Sequence, residues 1–286
     1  IQVLPASFVA ALTTRQVAGL STSQVASFSS DGVQALTTLN IRGLGADQIK
    51  VLSTSAFAGF ETRDLTSLSS VQVGGFTSAQ LGVISASQLA GLNSANIVGL
   101  STAQIASIAT DAIAGIETRD LVALRSDQIT GFTDTQLDQF GSAQLAALTS
   151  TQLGSMTTAQ INSLNSEQVA ALSTANVKGL SPTQVAAIDV SAFAGFESRD
   201  LAALSSGQVG GLTTAQLATI SGGQLAALTT GNIAGLTATK LGTVSTAAIS
   251  ALETRDLRLL TSLQLTGLQP EQLAQFTEAQ FAALTT

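Results

Sequence analysis

The chain has 286 residues, 45% of them apolar and only 10% charged, with a net charge of −7 and a pI near 4.4. That is ample apolar material for a core, so the chain is not expected to be disordered, and the acidic balance offers no cationic surface to nucleic acid or an anionic membrane. Cys, His, Trp and Tyr are all missing, which removes thiolate, imidazole and disulfide chemistry; no cofactor, no metal and no enzyme activity are expected.

From the N-terminus, IQVLPASF has neither an initiating Met nor a basic leader, and the final LTT stops just inside a new repeat. The chain is therefore expected to be a piece of a longer array. No run of about 18 apolar residues predicts a membrane span. The first clear phrase is LTTRQVAGL, Leu12 to Leu20, and LSTSQVASF follows at once. Stepping by eight from Val9 through Val17 to Phe281 meets 35 apolar positions without exception, and a second series from Leu4 through Leu12 to Leu284 meets 36. A fixed period over the whole chain is the signature of a repeat architecture.

A continuous helix would rotate such a stripe by about 80° per octad, so one long helix is excluded. Read as a short helix, the octad puts Thr13 at the N-cap and Gln16 three residues on, a reciprocal capping box. Leu12 and Val17 form the hydrophobic staple around it. Gln holds this place in 20 of 35 octads. Pro182 and Pro270 fall at the first helical position, which needs no N–H; Pro5 does not. Of 25 glycines, 13 occupy the octad's last place, among them Gly19, Gly43, Gly59 and Gly75, which predicts left-handed C-terminal caps. Helices this short are unstable alone, so successive units must stack. The expected fold is all-α, an α-solenoid of very short self-capped helices, one per octapeptide repeat, running as a single continuous solenoid over 1–286. The alternative is a β-solenoid with eight-residue sides, favoured by the abundant Thr and Ser but not by Ala, Gln and Leu.

Where Gln is missing the replacements are ordered. Asn stands at 40, 96, 176 and 232, Ala at 56, 112, 192 and 248, and Asp at 64, 120, 200 and 256. Within each set the steps are seven, ten and seven octads, giving a superrepeat of seventeen octads, approximately 5–140 and 141–276. The Asp octads carry the recurrent charge clusters: Glu61, Arg63, Asp64; Glu117, Arg119, Asp120; Glu197, Arg199, Asp200; and Glu253, Arg255, Asp256. They hold 8 of the 18 acidic residues. Each reads as a local salt-bridged corner in which Asp accepts backbone N–H bonds in place of Gln, or as a lateral contact for a neighbouring chain. Calcium is disfavoured, because its sites gather more oxygens in one loop and an Arg sits inside each cluster. The Gly74–Gly75 and Gly222–Gly223 pairs lack a phosphate-loop context and read as packing points.

The LTTAQL phrase at Leu212 to Leu217, with its variants throughout, resembles the L-T-T-x-Q-[VIL]-x-A-L arrays of very large secreted or surface-attached bacterial repeat proteins, adhesins among them. LSPTQVAAI at Leu180 also resembles the opening of a repeat in transcription activator-like effectors, over one octad's phrase only. The first resemblance implies a secreted or cell-surface location and cell-surface attachment. With the repeat pattern it leads to the expectation of a structural, non-catalytic rod, stalk or self-assembling filament, its partner another copy end to end or side by side. The alternative is a solenoid scaffold that binds a protein, peptide or glycan in adhesion.

Overall fold

The computed structural model describes residues 5–284, and the chain divides after Ala147 into two compact units. Each unit is a coil of helices three to six residues long, one per octad, such as Thr14–Ala18, Ala46–Lys50 and Thr77-capped Ser78–Leu81 in the first and Pro182–Ala187 and Thr214–Thr219 in the second, the three-residue ones being 3₁₀ turns. No strand occurs among the described residues. The fold is thus an α-solenoid, and the β alternative falls away because the capping box, meaningless in a strand, is what starts each unit.

The box forms as its residues require. Thr77 Oγ1 accepts the Gln80 N–H at 3.2 Å while Gln80 Oε1 accepts the Thr77 N–H at 2.9 Å. Pro182 and Pro270 each open a helix at the position that has no N–H to lose. The two apolar columns turn inward and form the core, from Phe28 and Val33 to Leu257 and Phe276. T-shaped ring pairs, Phe57 with Phe60 at 5.4 Å and with Phe76 at 5.0 Å, fill the core beside the small Ala56.

The turns are joined by the same Gln. Gln80 Nε2 donates to the carbonyls of Ile49 at 2.9 Å and Leu52 at 2.8 Å, 31 and 28 residues back. The pattern recurs at Gln48 with Val17 and Leu20, at Gln136 with Ile105 and Ile108, and in the second unit at Gln216 with Val185 and Ile188. Asn96 and Asn232 do the same with their shorter arms, and Lys240 donates instead to the Gly210 carbonyl. Every buried polar or charged residue among those described occupies this one octad position. A bond 28 residues back makes one turn about three and a half octads.

The glycines do not act as expected. None of the described glycines has a positive φ, and Gly19 itself lies in the right-handed helical region at φ −83°, ψ −5°. Their role is close approach. A Cβ added to Gly43 would stand 2.1 Å from the Thr14 carbonyl oxygen, and one added to Gly179 would stand 1.8 Å from that of Ser150. The octad's last residue lies directly on the backbone of the preceding turn, and a side chain there would hold the turns apart.

Candidate contact site

Each charged cluster is set by the octad's helical geometry. Glu61 takes the N-cap place before Thr62–Ser67, so Arg63 two residues on reaches back along the surface while Asp64, at the clamp position, turns inward. The Glu and Arg pair outside: Arg63 Nε lies 2.8 Å from Glu61, and the equivalent distances are 2.7 Å for Arg119 with Glu117, Arg199 with Glu197, and Arg255 with Glu253. These arginine side chains are 60–66% exposed. Water screens such pairs, which are worth about 1 kcal/mol or less each, so the corners add little to holding the coil together.

The aspartates belong to the interior. Asp64, Asp120, Asp200 and Asp256 are at most 1% exposed. Asp64 Oδ2 accepts the Glu61 N–H at 3.3 Å, as a Gln Oε1 would. Its other oxygen is buried with no hydrogen-bond partner, and so is at least one oxygen of each of the other three. The arginines stay 3.5–3.9 Å away. Burial pushes each of the four carboxyls above the ordinary carboxylate range, against a lowering by the adjacent guanidinium and by a backbone N–H, that of Glu61 at Asp64 and that of Ser94 at Asp120.

The sequence grouped Glu, Arg and Asp as one cluster; the structure brings Glu and Arg together at the surface and sends Asp to the clamp row. Within the first unit, Asn93 and Asn96 donate to the carbonyls of Thr66, Leu65 and Leu68 in the Asp64 octad, and the Asn octad's Ile97–Gly99 is in turn packed by Thr118–Ala123 of the Asp120 octad. Charged octad, Asn octad and charged octad therefore stack on one edge, with Glu61–Arg63 and Glu117–Arg119 two turns apart. A groove of about 410 Å³ adjoins the first of these corners, between Glu61 and Thr62 on one turn and Ser85 and Gln88 on the next. Its counterpart in the second unit, about 540 Å³, lies between Glu197 and Arg199 and Ser221 and Gln224. Among the described residues no three His, Cys, Asp or Glu side chains converge on a point that would hold a metal ion, and no helix is long and apolar enough to cross a membrane.

What sequence reasoning missed is the second arm of the Gln. A capping box accepts Glu as readily as Gln, yet Glu never occurs at this position; the preference for an amide was the signal that a donor is required.

None of the curated proteins compared matches this chain. A family model described as the ALTTAQ repeat matches six times, at residues 9–38, 57–93, 113–150, 140–174, 193–230 and 249–286. These segments cover well over half of the chain, and the edges at 38, 57, 93, 113, 174, 193, 230 and 249 fall where the Asn and Ala octads interrupt the Gln pattern. The chain is a tandem-repeat protein and belongs to the ALTTAQ repeat family.

Proposed function

We propose that this chain is a structural, non-catalytic segment of a secreted or cell-surface protein, a rod or stalk whose charged corners make side-by-side contacts with further copies. One observation carries the reading: the buried polar side chains all stand at the octad position that joins one turn of the coil to the next, which is the economy of a scaffold that gains length by repetition. The lateral contact is supported by the corners themselves. Each presents one acid and one base, so two copies lying antiparallel would set Arg against Glu at the same two-turn spacing. An adhesin-like context would suit such a segment.

Negative-stain electron microscopy and sedimentation of the purified chain, with the variant in which Glu61, Arg63, Glu117, Arg119, Glu197, Arg199, Glu253 and Arg255 become Gln, test this. Laterally associated rods or bundles that disperse in the variant or at high salt are expected. Dispersed monomers of the unmodified chain at high concentration would overturn the lateral contact. The grooves beside Glu61 and Glu197 favour a second reading, a scaffold that binds a peptide or glycan. It gains if assembly survives in the variant and binding on a glycan or peptide array is lost.

A further inference from the structure

The Asp octads pose a donor problem that the exposed corners do not solve. In Gln octads such as that of Gln80 the clamp position puts one arm, an oxygen, on its own N-cap N–H and the other, an N–H, on carbonyls 28 and 31 residues back. An ionised carboxylate can fill only the first role. At Asp64 Oδ2 fills it, and Oδ1, the counterpart of the amide donor, is buried without a hydrogen bond, 3.8 Å from Arg63 Nε. Asp120 and Asp256 likewise leave Oδ1 without a partner, and Asp200 leaves both oxygens. By the same 28-residue step, the carbonyls that a Gln in these octads would bond are those of Leu36, Leu92, Leu172 and Leu228, and a carboxylate has no hydrogen to give them. An ionised carboxylate oxygen held out of reach of water with no donor is a costly arrangement.

We infer that the four aspartates are proton-operated clamps: each carboxyl takes up a proton on its unpartnered oxygen and offers it to the carbonyl one turn back, so the Asp turns close in acid and loosen when the carboxyl ionises. The surroundings offer little competing charge. Asp64 has Glu61 and Arg63 on its own octad, Arg42 on Ile41–Gly43 packed below, and no charge on Ala86–Leu89 above. Asp120 has Glu117 and Arg119 and no charge on Ile97–Gly99 or Ser142–Ala147. Asp200 has Glu197 and Arg199, Lys178 on Val177–Gly179 and none on Gly222–Ala226. Asp256 has Glu253 and Arg255, and Glu278 on Glu278–Ala283. The arginines, engaged with the glutamates, approach the aspartates no closer than 3.5 Å. A metal ion in place of the proton would have that guanidinium as a neighbour.

The sign follows from burial. A carboxyl raised above its unfolded value of about 3.9 contributes its stability fully below that pH and loses it as pH rises through the folded value. Asp127 and Asp189, exposed and held low by Arg125 and by Ser191, act in the opposite sense. They are unchanged in a variant with all four clamp aspartates replaced by Asn (D64N, D120N, D200N, D256N). Asn is native to this position in four other octads and carries the donor there, as at Asn96 and Asn232.

The experiment is a carbon-13 NMR titration of the Asp side-chain carboxyls in the full chain, with urea midpoints of chain and variant between pH 4 and pH 7. Four carboxyls are expected to stay protonated above the ordinary Asp value of about 3.9, and the chain is expected to lose stability relative to the variant as pH rises, about tenfold in the folded-to-unfolded ratio per site for each unit of raised pKa. No Asp carboxyl titrating above the ordinary value of about 3.9 would overturn the inference, as would parallel pH profiles. Should the variant fail to fold, the titration of the unmodified chain alone decides.

Discussion

The clamp gives a quantity that can be worked from the structure and set against a control in the same octad. Gln80→Met keeps the length and bulk of the side chain and removes its hydrogen bonds. Ile49 loses one donor but keeps the Leu52 N–H, whereas the Leu52 carbonyl loses the Gln80 bond at 2.8 Å, and the Thr77 N–H loses its acceptor. At about 1 kcal/mol for each bond whose partner is partly relieved, and about 1–3 kcal/mol for a buried carbonyl left bare, the total is at least about 3 kcal/mol. Thr77→Ala removes only the cap bond to the Gln80 N–H, worth about 1 kcal/mol. Urea unfolding followed by far-ultraviolet circular dichroism at neutral pH, compared at equal m-values, should place Gln80→Met about 2 kcal/mol below Thr77→Ala. If the two variants cost the same, the Gln row is a capping device only and does not join the turns.

Three other outcomes follow from the same geometry. Gly179→Ala sets a methyl 1.8 Å from the Ser150 carbonyl oxygen and should cost at least about 2 kcal/mol, while Gly223→Ala, with nothing within 4 Å of the new Cβ, should gain about 0.5–1 kcal/mol; thermal unfolding of the pair distinguishes a contact glycine from a conformational one. Phe57→Ala, fully buried against two rings, should cost about 3–5 kcal/mol in the same urea assay. Arg63→Gln, which breaks an exposed 2.8 Å pair, should move the unfolding midpoint by less than about 1 kcal/mol.

Much of this fold is legible in the sequence because the period of eight controls both of its signals at once. The apolar columns fix which two residues per octad face the core, and the Thr-x-x-Gln spacing fixes where each helix begins. Both belong to a single octad and survive without knowledge of what lies above or below. The glycines misled because their position at a helix end fits two physical causes, a left-handed backbone and the close approach of another turn; only coordinates that bring Thr14 beneath Gly43 separate them. The charged corners were half legible for the same reason. Glu61 and Arg63 pair within one octad, so spacing suffices, but the fate of Asp64 depends on the backbone of the turn beneath.

The order of the Gln replacements has a physical basis in the length of the clamp arm. Asn is one methylene shorter than Gln, and its amide reaches the carbonyls of the preceding turn more readily where the backbone comes nearer. In all four Asn octads the segment that follows is a 3₁₀ turn, Ile41–Gly43, Ile97–Gly99, Val177–Gly179 and Ile233–Gly235, tighter than the α-turn of the Gln octads. Ala has no arm at all, and in the Ala112 octad a backbone group takes over, the Ala109 N–H donating to the Leu81 carbonyl at 2.9 Å, again one turn back. Closer turns leave less room at the octad's end. All four Asn octads end in Gly, as do three of the four Ala octads, and a Cβ on these glycines would stand 1.8–2.2 Å from the carbonyl oxygen beneath. At Gly75, Gly91, Gly131 and Gly211, which end Gln octads, the same distance is 2.3–2.8 Å; Gly267, at 1.9 Å, shows that a Gln octad can also be drawn close. Arm length and terminal glycine are therefore two ends of one constraint, the distance between successive turns. The seven-octad step between Asn octads places the tightened contact at every second turn within each unit, on the edge where the charged corners stand.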